Sequence, residues 1–283
     1  MNQLTIITIN RNNAIGLEKT MASVLSQTCL DIDYVVVDGA STDESVHIIK
    51  RFSTQFGKRL RWISEPDNGI YNAMNKGIGM AMGEYVEFLN SGDCLVDENV
   101  IERMYIALEQ NGYPSILYGN MLKSMPNGKV FRDKCFAGQD MTFLGFYNGT
   151  LNHSPAFIRC SLFEKYGLYD DSLKIVSDWK WYMQAIILGE ERPVYTDLDV
   201  TLFDMTGISE TNNDLDKEER WKVLTELIPG TFLKDYDEWA FSIGQMKRLK
   251  RHPWAYRIVW FFERCLFKIE KIQRKHSQEC HYQ

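Results

Sequence analysis

Four short runs of acids, amides, hydroxyls and glycine stand out in the first third of the chain. They are Asn10-Arg11-Asn12, Asp38-Gly39-Ala40-Ser41-Thr42-Asp43, Glu65-Pro66-Asp67-Asn68-Gly69 and Asn90-Ser91-Gly92-Asp93. Each follows an apolar segment. Carboxylate and amide oxygens grouped in this way suit a polar ligand or a hard divalent cation. One such run is what any turn prefers; four in succession point to a shared ligand. Neither G-x-G-x-x-G nor G-x-x-x-x-G-K follows the first apolar segment, and Gly77-Ile78-Gly79 is followed by Met82 where a third glycine would stand. Dinucleotide oxidoreductases and P-loop NTPases thereby lose their main support. Two further groups lie downstream. His153 sits in Asn152-His153-Ser154-Pro155, and Asp178 opens the apolar helical stretch after Val176-Ser177. A carboxylate at a helix start is stabilised by the helix dipole whatever else it does.

The elements that carry these groups alternate. Leu4 to Ile9, Tyr34 to Val37, Leu60 to Ile63 and Tyr85 to Leu89 are short β-branched or aromatic runs, as strands buried on both faces would be. Leu17 to Leu25, the segment through Ile48 and Ile49, Gly69 to Met82 and Val100 to Leu108 have helical apolar spacing. Ser41 or Thr42 is expected to cap the second helix, with Asp43 and Glu44 in its first turn. Repeated β-α units imply an α/β fold, a mostly parallel sheet with helices on both faces. Ligands of such sheets lie beyond the carboxyl ends of the strands, where the four polar runs fall.

The chain of 283 residues is 45% hydrophobic and 25% charged, enough for a sizeable core and too apolar for disorder. A net charge of −6 argues against a nucleic-acid binder coated in positive charge. No run of 18 apolar residues occurs, and the start Met1-Asn2-Gln3-Leu4 lacks a secretory n-region and h-region. Six scattered cysteines without a C-x-x-C pair imply a reducing, cytoplasmic setting with buried, unpaired thiols. Charge is unevenly spread. Residues 244–275 carry ten basic side chains against Glu263 and Glu270, a local +8 that leaves −14 elsewhere. The same segment holds Trp254, Trp260, Phe261, Phe262 and Phe267. Basic residues interleaved with aromatics fit contact with a membrane surface, or a helical pair with a solvated basic face.

Taken in order, Val37-Asp38-Gly39 with Ser41-Thr42-Asp43, the run from Ser64-Glu65-Pro66-Asp67 through Gly77, and Phe88-Leu89-Asn90-Ser91-Gly92-Asp93 resemble the family 2 glycosyltransferases. The bacterial members that build surface polysaccharide, such as capsule and O-antigen, are the nearest likeness. The resemblance spans roughly residues 4–209. It implies a GT-A fold: a Rossmann-like, nucleotide-sugar-binding half (residues 1–112) joined to an acceptor half (113–210), here followed by a helical, basic and aromatic extension (211–283). It implies inverting transfer of a hexosyl or N-acetylhexosaminyl group from a nucleotide sugar, a UDP-sugar first, to a glycan or lipid-linked acceptor; contact with the inner face of the cell membrane is expected only if the tail of residues 244–275 docks there.

Carried over residue by residue, the resemblance assigns Asp38 to the donor base, with Thr8, Asn10 and Ser41 beside it. Asp67 falls to the base or ribose or to a helix cap, Asn75 and Lys76 to the phosphate side, and Asn90 and Ser91 to the donor. A departing diphosphate needs its charge met, and Asp93 is the expected ligand of a divalent metal, Mg2+ or Mn2+. Asn90 replaces an acid of the family's cluster and removes one charge from it. An acceptor hydroxyl needs a proton acceptor, and Asp178 matches the family's base. His153 is expected at the metal or the diphosphate. Trp179 and Trp181 read as core residues before sugar platforms, and Thr206-Gly207-Ile208-Ser209 as a loop over the donor. Two other classes stay open: a catalytically inactive module of the same fold, and a sugar nucleotidyltransferase, which would need a Gly-rich basic loop after the first strand.

Overall fold

The computed structural model describes residues 3–124, 129–203 and 213–279. Strands β1 (Leu4–Asn10), β2 (Ile32–Asp38), β3 (Leu60–Ser64) and β4 (Tyr85–Phe88) alternate with helices α1 (Ala14–Leu25), α2 (Ser45–Phe56) and α3 (Ile70–Met80). Then come β5 (Cys94–Leu95), α4 (Val100–Gln110), β6 (Ile116–Ser124), β7 (Val130–Asp133), α5 (Phe143–Asn148), β8 (Ala156–Arg159) and α6 (Ser161–Tyr166). Helix α7 (Ser177–Tyr182) runs on into a π-helical turn at Met183–Leu188, ahead of β9 (Val194–Phe203). Helices α8 (Asn213–Leu227), α9 (Gly230–Lys250) and α10 (Pro253–Glu279) follow. Thr206-Gly207-Ile208-Ser209 lies outside the described residues.

Among the described residues, nine strands join one sheet in the order β3-β2-β1-β4-β8-β6-β9-β5, with β7 on β6. Strands β3, β2, β1 and β4 are mutually parallel, as the alternating pattern predicts. Beyond β4 the sheet is mixed: β8 runs antiparallel to β4 and β6, while β6 and β9 are parallel. Every residue of β1 and β2 is buried. On one face Leu4, Ile6, Tyr34 and Val36 pack with Leu17 and Met21 of α1, Ile49 and Phe52 of α2, and Ile101 and Met104 of α4. On the other, α3 lies so close to β1 that a Cβ at Gly77 would stand 2.4 Å from Ile7 Cγ2, which requires glycine there.

Two details depart from expectation. The second helix begins at Ser45, and no side chain of Ser41 or Thr42 caps it. Asp43 precedes the helix, accepting from Ser45 N (3.0 Å) and from Ala14 N at the start of α1 (2.9 Å), so one carboxylate serves two helix starts. No disulfide forms among the described cysteines, as expected, but Cys29, Cys94, Cys135, Cys160 and Cys265 are half-buried rather than buried.

One buried acid stands apart from the site. Glu87 shares a face of β4 with Tyr85 and Leu89, inside the apolar cluster. It has no exposed surface, and neither carboxyl oxygen has a hydrogen-bond partner. Burial alone raises its pKa well above the ordinary glutamate value.

The chain divides into two units, Met1–Val223 and Leu224–Gln283. The first holds the sheet. The second is helical and leaves large apolar side chains in solvent, among them Trp254 (70% exposed), Phe261, Phe262 and Phe267. Among the described residues no helix is long and apolar enough to cross a membrane.

Candidate active site

The parallel register sets Asn10, Asp38 and Ser64 side by side at the strand ends. Asp38 fills both oxygens from within the protein. Oδ1 accepts from Asn10 Nδ2 (2.8 Å) and Ser41 Oγ (2.6 Å); Oδ2 accepts from Ser41 N (3.0 Å) and Ser64 Oγ (2.7 Å). Its exposure is 0%. In this conformation the carboxylate shapes the Gly39–Ser41 turn, and the turn, not the acid, meets solvent. Asn12 and Ala40 adopt left-handed backbone (φ 51° and 54°), and Ser41 Oγ accepts from Asn12 N, so the two loops lock together. Thr8 is also fully buried, with its hydroxyl donated to Leu89 O and paired with Tyr34 OH. These bonds tie β1 to β2 and to the end of β4.

Asp67 caps the turn into α3 by accepting from Gly69 N (3.0 Å). Its carboxylate lies flat on Gly39, where an added Cβ would come 2.2 Å from Oδ2, and Arg11 approaches at 3.7 Å. Gly69 has φ +126°, a region closed to residues with a Cβ. Lys76 is held at this rim by Glu65 (2.8 Å) and the Pro66 carbonyl (2.8 Å). Asn75 points its amide elsewhere: Nδ2 donates to Tyr169 O (2.8 Å) and Oδ1 accepts from Tyr169 N (3.0 Å). It ties α3 to the second half of the fold through the Tyr169 backbone.

The loop after β4 is built by α1. Asn13 Nδ2 donates to Ser91 O (3.0 Å), Thr20 Oγ1 donates to Asp93 O (2.7 Å), and Gly92 N donates back to Thr20 Oγ1 (2.9 Å). Gly92, at φ 111°, makes the turn that returns Asp93 N to Asn90 O (2.9 Å). Asn90 Nδ2 stands 3.4 Å from His153 Nε2, and Asn90 Oδ1 is buried without a partner. On the other ring nitrogen, His153 Nδ1 lies 3.0 Å from Asp178 Oδ2; Tyr71 OH donates to Asp178 Oδ1 at 2.9 Å. A continuous chain of polar contacts therefore runs from the β4 loop to the start of α7.

The histidine and aspartate are 21% and 14% exposed at their side chains, so their charges are only partly screened. Burial alone would lower the His153 pKa; the bond to Asp178 and its charge, with Asp93 adding, outweigh it and raise the value. For Asp178, burial works upward, but the His153 and Tyr71 bonds and the Trp179 amide hold the pKa below the ordinary aspartate value. Asp178 is thus a carboxylate held toward its ionised form, with lone-pair capacity left for one further donor.

Among the described residues no three His, Cys, Asp or Glu side chains come together closely enough to ligate a metal. The oxygen chemistry of the β4 loop nevertheless suits a hard divalent cation: the loop carries the carboxylate of Asp93 and a buried, unpartnered amide oxygen on Asn90. Trp179 and Trp181 are both 1% exposed and donate to Phe146 O and Gly167 O, which excludes sugar stacking. The Tyr71 contact was missed because its place in the motif reads as an ordinary helix position.

Comparison with known proteins gives this geometry a context. The profile of Glycosyl transferase family 2 matches residues 5–167, more than half of the chain. A PGL/p-HBAD biosynthesis glycosyltransferase of Mycobacterium bovis is 30% identical over 184 residues, 64% of this chain and 68% of that protein. An uncharacterised glycosyltransferase of Mycobacterium tuberculosis is 31% identical over 208 residues, 72% of this chain and 76% of that one. Among solved structures, Staphylococcus aureus TarS 1-349 with UDP-GlcNAc superposes with TM-score 0.64 at 18% identity, over 78% of this chain. The match spans 64% of that TarS fragment, less than two thirds of it. The mannosyltransferase PcManGT of Pyrobaculum calidifontis, with GDP-Man and Mn2+, gives TM-score 0.57 at 16% identity, over 74% of this chain and 58% of its own. A parallel half-sheet ending in acids and amides, a mixed second half, and the matching profile agree on one conclusion: the chain belongs to glycosyltransferase family 2, with the GT-A fold.

Proposed function

We propose that the chain transfers a hexosyl or N-acetylhexosaminyl group from a UDP-sugar to a glycan or lipid-linked acceptor, with inversion, in the assembly of bacterial surface polysaccharide. One observation carries the reading. His153 bridges the two halves of the fold: it lies 3.0 Å from Asp178 and 3.4 Å from Asn90 of the loop that carries Asp93, and the Asp93 charge helps to raise its pKa, which supports reading Asp93 and Asp178 as parts of one site. Nucleotide sugars in the neighbouring structures, UDP-GlcNAc on TarS and GDP-Man on PcManGT, support a donor of this class.

In this reading Asp178 takes the proton of the acceptor hydroxyl as the new glycosidic bond forms. Tyr71 and His153 hold its two oxygens and so fix where the remaining lone pairs point. Asp93 and Asn90 would hold Mg2+ or Mn2+; when bound, the cation neutralises charge growing on the diphosphate. Lys76 adds positive charge to the phosphate side, where His153 also stands. The Asn10–Asp38–Ser41 network fixes the turn against which the donor base lies, with Asp67 and Ser91 at its edges.

By the same proposal the enzyme is cytoplasmic and docks on the inner face of the membrane through residues 244–275. The support is their +8 charge and their exposed aromatic side chains.

The site reading is tested by UDP release. Asp178→Asn should lower turnover about 10²- to 10⁴-fold, the usual worth of a positioned base. UDP affinity should stay within about twofold, since the base touches acceptor and not nucleotide. Undiminished turnover, or loss of UDP binding, would refute the assignment. Release of pyrophosphate instead of UDP would favour a nucleotidyltransferase.

A further inference from the structure

Helix α7 presents Asp178, yet six residues cannot by themselves fix a side chain within the tolerance that proton transfer needs. The segment entering α7 is gripped from outside. Glu219 of α8, nearly buried, accepts from three consecutive backbone amides: Oε1 from Lys174 N (2.8 Å), Oε2 from Ile175 N (2.9 Å) and Val176 N (3.3 Å). Charge-assisted bonds of this kind are about twice as strong as neutral ones. A carboxylate facing three N–H groups in a row also admits only one course for that backbone.

The next residue adds a second hold. The Arg220 guanidinium lies over the Trp179 ring, 4.6 Å from its centroid, and donates to Gly149 O (3.3 Å). Asp216, one turn back, fixes the guanidinium at 3.0 Å. From the other side the Tyr71 hydroxyl lies between the Ile175 carbonyl and Asp178 Oδ1, its one proton shared between the two acceptors. Residues 174–179 are thus pinned at both backbone and side chain, with Asp178 between the two clamps from α8.

We infer that Glu219 is a positioning residue for the transfer reaction: its carboxylate holds the Lys174–Val176 backbone so that Asp178 meets the acceptor hydroxyl. The inference rests on reading Asp178 as the base. It makes α8 part of the catalytic architecture, although α8 lies beyond the 5–167 segment that the family profile matches. Glutamine at 219 keeps one oxygen but turns an NH2 group toward backbone N–H donors, so the segment must shift. A shift of about 1 Å costs roughly 10²-fold in rate.

The test is a double-mutant cycle on the full chain, by UDP release and by calorimetric titration with UDP. E219Q should lower kcat about 10- to 100-fold, leaving donor KM and UDP affinity within about twofold. In the D178N background E219Q should change the residual rate by less than about twofold, because the two changes act on the same step. Wild-type kcat in E219Q, or the full factor reappearing in D178N, overturns the inference. So does a parallel loss of UDP binding, which would mean that the whole fold is disturbed. If E219Q does not fold, R220L removes the second hold from the same helix: kcat should drop several-fold at unchanged UDP affinity, and an unchanged kcat overturns the inference. Full turnover by D178N alone refutes the base reading itself. An inactive D178N beside a fully active E219Q refutes the positioning role only.

Discussion

Glu87 gives the fold a pH dependence that can be worked out from its surroundings. It is buried in the apolar cluster with neither oxygen partnered, so the protonated form is favoured in the folded state. In the unfolded chain it titrates near the ordinary glutamate value of 4.5. Between that value and the higher folded one, the unfolded state releases its proton and the folded state keeps it. Stability is therefore undiminished below about 4.5 and falls as pH rises toward the folded value. The slope is about 1.4 kcal/mol per pH unit. Glu87→Gln has nearly the same shape and the same lack of partners, but it cannot titrate. Near pH 4.5 the two proteins should differ by less than about 1 kcal/mol; above it the variant should gain on the parent at the stated slope. Urea unfolding of both, at half-unit steps from pH 5 to 8, measures the difference, with m-values compared to confirm like transitions. A constant difference across that range would mean that Glu87 ionises normally, or finds a partner, and the reasoning would be wrong.

At the site, Asp93→Ala should abolish the stimulation of transfer by Mn2+ or Mg2+; if the parent enzyme works equally well in excess chelator, the metal proposal fails. For the membrane proposal, the parent chain should sediment with vesicles containing 30 mol% anionic lipid (about 30%, the rest zwitterionic) and release as salt rises from about 0.1 to 0.5 M. Replacing Phe261 and Phe262 by serine should weaken that binding at least tenfold, since each buried phenylalanine is worth about 1.5–3 kcal/mol. Equal binding to neutral vesicles, or none to either, would refute a basic, aromatic docking surface.

What was legible in the sequence, and what was not, follows from the range of each interaction. Strands β1 to β4 and the helices between them are local patterns: strands four to seven residues long, rich in β-branched and aromatic side chains, separated by helical spacing. Their parallel pairing follows from that alternation, and so does the placing of Asn10, Asp38, Asp67 and Asp93 at one edge. The second half was not legible in this way. Strands β8, β6 and β9 pair across long stretches of chain, and β6 meets β9 through shifts in register. No periodicity in the sequence marks such pairings.

The site divides along the same line. His153 and Asp178 could be named because each falls in a short recognisable segment. That they touch, and that Tyr71 completes the contact, depends on a sequence separation of 25 residues in one pair and 107 in the other. Thr8, Asp38 and Asn75 show the converse. Their residue types suit a ligand, but each finds its hydrogen bonds inside the protein, Asp38 with four of them. A motif records which side chains a fold retains near a ligand. It does not separate those that touch the ligand from those that hold the loops that do. Glu219 is the extreme case: an acid among Lys217, Glu218 and Arg220 in a charged helix reads as solvated surface, and only the three backbone amides it accepts from set it apart.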